Sequence, residues 1–129
     1  MNRILILDRY PSIRELLAEE LAAEGYMVVA IGNPELIGDL VGTFDPNLII
    51  LDLFINGEMR WDVLKEIKKQ HPHLRVLIHT AFHPDEDPRS SPADGWIVKS
   101  SIFDGLRQKT AEILRSIPLA LQPAGLATG

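Results

Sequence analysis

Four polar residues stand at or near the ends of short apolar runs in this chain, and their chemistry is complementary. Asp8 and Asp52 carry carboxylates, Thr80 a hydroxyl and Lys99 an ammonium group. Two carboxylates that lie close together raise each other's pKa unless a cation lies between them. A hard divalent cation such as magnesium, which prefers carboxylate and carbonyl oxygen, is one solution. A hydroxyl and an ammonium group facing the carboxylates would form an oxyanion clamp suited to a phosphoryl group.

The apolar runs that precede these residues have the pattern of buried strands. They cover residues 4–7, 27–31, 48–51 and 74–78, with a shorter run at 96–98. Each run is nearly continuous rather than alternating, which is typical of parallel strands covered on both faces. The sequence therefore predicts five strands that share one sheet.

Segments with helical periodicity separate the strands. The first is expected to begin with Ser12 as N-cap, with Glu15 completing a capping box, and to stop at Gly25. The second, residues 34 to about 41, carries Gly38 and should be weak.

The third helical segment is the clearest of the set, and the last one is the longest. A proline after His71 ends the third, and the last covers about residues 102–117. Their predicted apolar stripes are Trp61, Val63, Leu64 and Ile67 in the third, and Phe103, Leu106, Ile113 and Leu114 in the last.

Residues 82–92 are the exception to this alternation, since they contain Pro84, Pro88 and Pro92 where a fourth helix belongs. Prolines at four-residue spacing do not fit a regular helix. We expect one short turn at most in this stretch, or a mobile loop.

Alternating strands and helices predict an α/β fold, a flavodoxin-like doubly wound parallel sheet of order 2-1-3-4-5 with a short or disordered fourth helix. Ligands of such sheets bind beyond the carboxyl ends of the strands, where the strand order reverses between the first and third strands. Asp8 and Asp52 should meet at that point, with Thr80 and Lys99 along the same edge.

Composition limits the classes of protein that fit. The 129 residues suffice for one domain, predicted at residues 1–117 and followed by an uncharged tail or linker stub at 118–129. A net charge of −5 argues against direct nucleic-acid binding, and the absence of cysteine excludes disulfides and thiolate metal sites. No stretch approaches the ~20 apolar residues of a membrane span. We expect a cytoplasmic protein without a membrane partner.

The order of these motifs resembles the response-regulator receiver domain family over roughly residues 1–114. The segments that carry the resemblance are Ile4-Leu-Ile-Leu-Asp8, Leu51-Asp52-Leu53 followed by Gly57, His79-Thr80-Ala81, and Trp96-Ile97-Val98-Lys99. Any one of these motifs is weak, but their order and spacing together are specific.

The resemblance implies a role for each residue of the site. Asp52 would accept a phosphoryl group from a sensor histidine kinase, a phosphotransfer protein or a small phosphodonor. Asp8, Asp52 and the backbone carbonyl of Phe54 would hold magnesium. Thr80 and Lys99 would contact the phosphoryl group.

The resemblance also implies a function in two-component phosphorelay signalling, and it leaves a homodimer open. Trp96 occupies the position of the family's rotating aromatic residue. The chain would not be an enzyme, apart from its own phosphorylation from a phosphodonor and its own dephosphorylation.

Four positions depart from the family's pattern. Arg9 stands where the family has a second acid, Asn56 and Ser100 stand where prolines are common, and Arg60 replaces a glycine. Because the second acid is a metal ligand in the family, Arg9 makes magnesium binding uncertain. The alternative is a phosphorylation-independent pseudo-receiver, a protein interaction module in which the guanidinium of Arg9 replaces the metal.

A small phosphohydrolase is a further alternative, and the motifs argue against it. Aspartate-nucleophile phosphatases carry a second aspartate two residues after the first, where this chain has Phe54. Neither a glycine-rich P-loop nor a G-x-S-x-G motif occurs. Of the histidines, His79 and His83 are expected near the site edge, and His71 and His73 at the surface.

Overall fold

A computed structural model describes residues 2–82 and 87–116 of the chain. Its strands are β1 (Arg3–Leu7), β2 (Met27–Ile31), β3 (Leu48–Leu51), β4 (Phe54–Ile55), β5 (Glu58–Met59), β6 (Arg75–Thr80) and β7 (Gly95–Val98). Its α-helices are α1 (Pro11–Ala23), α2 (Ile37–Phe44), α3 (Trp61–Gln70) and α4 (Asp104–Arg115). The predicted tail at 118–129 lies outside the described residues, as does His83.

The central sheet is parallel and has the order β2-β1-β3-β6-β7. With the small hairpin β4–β5 set aside, this is the predicted order 2-1-3-4-5, and the predicted flavodoxin-like fold is confirmed. Leu7 in β1 lies in register with Leu51 in β3, and Leu51 lies in register with Ile78 in β6. The residues that follow β1 and β3 therefore leave the sheet at the same edge.

The core has two halves, one on each face of the sheet. Successive residues of a strand point to opposite faces, so Leu5 and Leu7 join the half that contains α3, whereas Ile4 and Ile6 join the half with α1 and α4. All four residues of β3 are buried. This explains why the strand sequences are nearly continuous apolar runs.

The first helix begins differently from the prediction. α1 starts at Pro11 with Tyr10 as N-cap, and no side chain caps it. The predicted cap at Ser12, and the capping box with Glu15, are therefore wrong. Proline is favoured at the first helical position because it has no N–H to satisfy, and this places Ser12 inside the helix. The predicted end is confirmed, since Gly25 follows the C-cap with φ +95°.

The second helical segment is divided. Residues Pro34–Leu36 form a 3-10 turn capped by the side chain of Asn33, and α2 follows it and ends at Phe44. The expected helix at 34–41 is thus shifted toward the C-terminus. Asp45 then adopts a left-handed conformation with φ 52°.

The third and last helices agree with the predicted apolar stripes. Trp61, Leu64 and Ile67 are buried in α3, which ends before His71 as expected. In α4, three of the four predicted inward residues are buried, and Phe103 packs partly against them just before the helix. The helix begins at Asp104, two residues later than predicted.

The proline-rich segment contains a single 3-10 turn, Pro88–Ser90, within its described residues. This agrees with the prediction of one short turn at most, while residues 83–86 lie outside the description. The turn contacts α3, where the Arg89 guanidinium lies 5.4 Å from the Trp61 ring centroid.

A two-stranded hairpin after β3 was not predicted. β4 and β5 pair antiparallel around Asn56 and Gly57, whose φ angles are 52° and 85°. Asn-Gly suits such turns because both residues tolerate positive φ.

Within the described residues, none of the helices is long and apolar enough to cross a membrane.

Candidate functional site

The four predicted site residues lie at the ends of four strands, at one edge of the sheet. Asp8 follows β1, Asp52 follows β3, Thr80 ends β6, and Lys99 follows β7. The Lys99 Nζ lies 2.8 Å from Asp8 Oδ2 and 2.7 Å from Asp52 Oδ2. The backbone N–H of Lys99 donates to the carbonyl of Thr80 at 2.7 Å. The structure therefore brings these four residues together.

Asp8 is held firmly by its own loop. The side chain is 1% exposed, and Oδ1 accepts a hydrogen bond from the Tyr10 N–H at 2.9 Å. The Arg14 Nη1 donates to the Asp8 carbonyl at 2.7 Å. The other carboxylate oxygen, Oδ2, lies 2.8 Å from Lys99 Nζ. Asp8 therefore presents one oxygen to the site, where it is paired with the ammonium group of Lys99.

Asp52 is buried and doubly hydrogen-bonded. It is 4% exposed, its Oδ1 accepts from the Phe54 N–H at 3.0 Å, and its Oδ2 accepts from Lys99 Nζ at 2.7 Å. Burial raises the pKa of Asp52, and the Asp8 carboxylate adds to this effect; the two hydrogen bonds oppose it without cancelling it. The carboxylate is thus more basic than an exposed aspartate.

Lys99 supplies the positive charge between the two acids. Burial lowers the pKa of its ammonium group, but hydrogen bonding and attraction from Asp52 and Asp8 outweigh burial, so the pKa is raised. The ammonium group is therefore firmly protonated at neutral pH. The ammonium group of Lys99 therefore offsets the repulsion expected between the Asp8 and Asp52 carboxylates.

Thr80 is fully buried, and its Oγ1 has no hydrogen-bond partner within the described structure. A buried hydroxyl without a partner costs stability. It lies at the edge where two carboxylates and an ammonium group meet, and it has a hydrogen bond left to donate there.

Arg9 does not occupy the position that the pseudo-receiver alternative requires. Its side chain is exposed, and its Cζ lies 5.0 Å from the Tyr10 ring centroid. Among the residues described, Arg9 forms no ion pair with Asp8 or Asp52; Lys99 pairs with both. The expectation that Arg9 bridges the two acids is therefore wrong for this structure.

The residues at the edge fit a magnesium ion in part. Within residues 2–82 and 87–116 there is no cluster of three or more His, Cys, Asp or Glu side chains that could hold a metal. Magnesium, however, is often held by one or two carboxylates and completes its shell with water and phosphate oxygen. The Oδ2 oxygens of Asp8 and Asp52, which both pair with Lys99 in this structure, would meet that smaller requirement.

Aromatic residues border the site. Phe54 and Phe82 meet edge to face, with ring centroids 5.4 Å apart, and Phe82 is 53% exposed. Trp96, predicted as the rotating aromatic residue, lies on β7 and is 37% exposed. The described chain contains no cis peptide bond, so Ser100 follows Lys99 in trans.

The family assignment follows from a comparison with known protein families. The model of the response regulator receiver domain matches residues 4–110, which is most of the chain. The chain belongs to the response-regulator receiver domain family. Receiver domains are modules of two-component signal transduction, and the predicted fold and family are thereby confirmed.

Individual relatives support the assignment. The sporulation initiation phosphotransferase F of Bacillus subtilis is 36% identical over 81 residues, covering 63% of this chain and 65% of that protein. The transcriptional regulator NtrC of Bradyrhizobium is 33% identical over 78 residues, covering 60% of this chain but 16% of that protein. The chain thus spans less than two thirds of the length of these relatives.

Solved structures give the same result. The response regulator protein TrrA of Thermotoga maritima, in complex with magnesium and beryllium fluoride, aligns with a TM-score of 0.81 at 37% identity. That alignment covers 88% of this chain and 99% of TrrA. TrrA in complex with the histidine kinase ThkA aligns with the same TM-score.

Sequence reasoning missed three residues that border the site in the structure, Tyr10, Arg14 and Phe82. One signal was available for Tyr10. It directly precedes Pro11, and a residue before a proline is restricted to extended conformations, which is the conformation that Tyr10 adopts.

Proposed function

We propose that Asp52 of this receiver domain accepts a phosphoryl group. The observation that carries the proposal is the contact of this buried, basic carboxylate with Lys99 at 2.7 Å, at an edge where the buried Thr80 hydroxyl has no partner. An oxygen of Asp52 would attack phosphorus and form an acyl phosphate. The bond between phosphorus and the donor breaks, and the donor leaves with the bonding electrons.

The other residues of the site would neutralise and orient the transferred group. The Lys99 ammonium group would follow the phosphoryl oxygens, and the Thr80 hydroxyl would donate to one of them. Asp8, Asp52 and the carbonyl of Phe54 would hold magnesium, which supplies further positive charge to the phosphoryl oxygens when bound.

The phosphodonor would be a sensor histidine kinase or a phosphotransfer protein. A cavity of about 370 Å³ lies beside Lys99 and is bounded by Ile13, Leu16 and Phe103. Leu16 is 45% exposed and Ile102 is 68% exposed, so an apolar surface borders the charged site. This surface suits a helix that presents a phosphohistidine next to apolar residues.

The same proposal covers the remaining expectations. The receiver domain would comprise residues 1–117 and act in the cytoplasm, and it would not turn over a substrate other than its own phosphoryl group. The pseudo-receiver alternative is not proposed, because it depended on Arg9 bridging Asp8 and Asp52.

Phosphoryl incorporation from acetyl phosphate, followed by intact-protein mass spectrometry with and without magnesium, tests the proposal. We expect incorporation in the wild type and in Asp45→Asn, a control at an exposed aspartate away from the site. Asp52→Asn should incorporate none. Equal incorporation in Asp52→Asn and the wild type would refute Asp52 as the acceptor.

A further inference from the structure

Tyr10 lies against the ammonium group of the site and is not used by the proposed reaction. Its ring centroid is 5.1 Å from Lys99 Nζ and 5.0 Å from Arg9 Cζ. The ring is 45% exposed, so core packing does not explain its position. Both distances lie within the ~6 Å over which a ring face attracts a cation.

The backbone of Tyr10 is fixed by the same loop that holds the site. Its N–H donates to Asp8 Oδ1 at 2.9 Å, and its carbonyl accepts from the N–H of Arg14 at 2.9 Å in the first turn of α1. A ring attached to this backbone moves only through its own side-chain torsions. The guanidinium of Arg9 lies against the same ring.

Lys99 holds its position at the end of a flexible side chain. Its Nζ lies 2.7 Å from Asp52 Oδ2 and 2.8 Å from Asp8 Oδ2. Both ion pairs are made by the one charged end of a side chain that has several rotatable bonds. The Tyr10 ring face adds a third contact to the same ammonium group.

We propose that Tyr10 is a positioning residue, whose ring face holds the Lys99 ammonium group across the two carboxylates, where phosphoryl transfer requires it. The inference rests on the proposed function of Asp52. It gives Tyr10 a role in the site, although Tyr10 takes no part in the proposed phosphoryl transfer itself. The ring acts through Lys99.

Two substitutions separate the ring face from the hydroxyl. Tyr10→Phe keeps the ring, and Tyr10→Leu keeps apolar bulk but removes the π face. We expect Tyr10→Leu to lower the rate constant of phosphorylation by acetyl phosphate about two- to fivefold, which is the effect of an exposed cation–π contact. Tyr10→Phe should react at the rate of the wild type.

The proton NMR signals of the Lys99 side chain provide a readout that needs no phosphodonor and no magnesium. A ring face next to Lys99 shifts its ε-methylene protons upfield. We expect this shift in the wild type and in Tyr10→Phe, and its loss in Tyr10→Leu with the circular dichroism spectrum unchanged.

The proposal is overturned if Tyr10→Leu reacts like the wild type, if Tyr10→Phe is impaired as much as Tyr10→Leu, or if the upfield shift is absent from the wild type. If the wild type incorporates no phosphoryl group at all, the role of Asp52 fails separately. The NMR comparison then still decides whether the ring holds Lys99.

Discussion

The pH dependence of stability gives a sharp test of how the site edge is built, through His79. This residue lies in β6, one position before Thr80, and is 3% exposed. Burial lowers the pKa of His79 from 6.5 to about 4; the Lys99 ammonium adds to the effect, and Asp8 opposes it. Replacing His79 with glutamine removes the titrating group and keeps a polar side chain of similar size.

The magnitude follows from the two pKa values. In the unfolded chain His79 binds a proton near pH 6.5, whereas in the folded protein it does so only near pH 4. The difference of about 2.5 corresponds to about 3 kcal/mol, at about 1.4 kcal/mol for each tenfold change in proton affinity. This stability is fully present above pH 6.5 and is lost as the pH falls toward 4.

Urea unfolding followed by circular dichroism between pH 7 and pH 4 measures this loss. The raised pKa of Asp52 acts with the opposite sign, because its stability contribution is lost as the pH rises. The test therefore compares variants with the wild type, because the contributions of all other titrating groups cancel in the difference. The wild type and His73→Gln, a control at an exposed histidine, should lose about 3 kcal/mol more than His79→Gln does. Parallel curves for all three proteins would show that His79 does not resist protonation.

Further substitutions test other parts of the structure. Arg9→Asp adds a carboxylate and removes a cation, so we expect magnesium to bind about tenfold tighter by titration calorimetry; unchanged affinity would show that Arg9 does not weaken the site. Gly32→Ala would bring a Cβ against Arg14 Nη1 and displace its hydrogen bond, at a cost of about 1 kcal/mol in urea unfolding. Gly42→Ala, in α2 with open space around it, should instead stabilise by up to about 1 kcal/mol. Asp94→Asn removes the partly buried carboxylate shared by two cations and should cost about 2 kcal/mol in the same assay, and no loss would mean that the network is not stabilising.

The sheet and the meeting of the polar residues were predictable because they depend on strand pattern alone. Strands buried on both faces leave continuous apolar runs, and the residue after each run leaves the sheet at its carboxyl edge. The pairing of Leu7 with Leu51 supplies the detail that brings Asp8 beside Asp52.

The errors arose where one residue decides the local backbone. Ser12 has the composition of a helix cap, but Pro11 takes the first helical position and moves the start of the helix. The β4–β5 hairpin was not predicted because each of its strands has only two residues, although Asn56-Gly57 is a strong turn signal.

Side-chain direction was beyond the sequence pattern. One alternative placed Arg9 between the acids, although a long side chain reaches solvent from the same position just as readily. The adjacent Tyr10 ring decides for the exposed position in the structure, and Lys99 then serves as the internal cation. Such a choice depends on three-dimensional neighbours that spacing along the chain does not encode.

The charged residues of the site follow strands that differ in how readily they detach from the sheet. β1 and β3, which carry Asp8 and Asp52, have a neighbouring strand on each side, whereas β7, which carries Lys99, is at the margin of the sheet. Marginal strands open at a lower free energy than interior ones. A brief detachment of β7 would therefore withdraw one positive charge while both negative charges stay in place. The net charge of the site can thus fluctuate by one unit while β1 and β3 stay paired with each other.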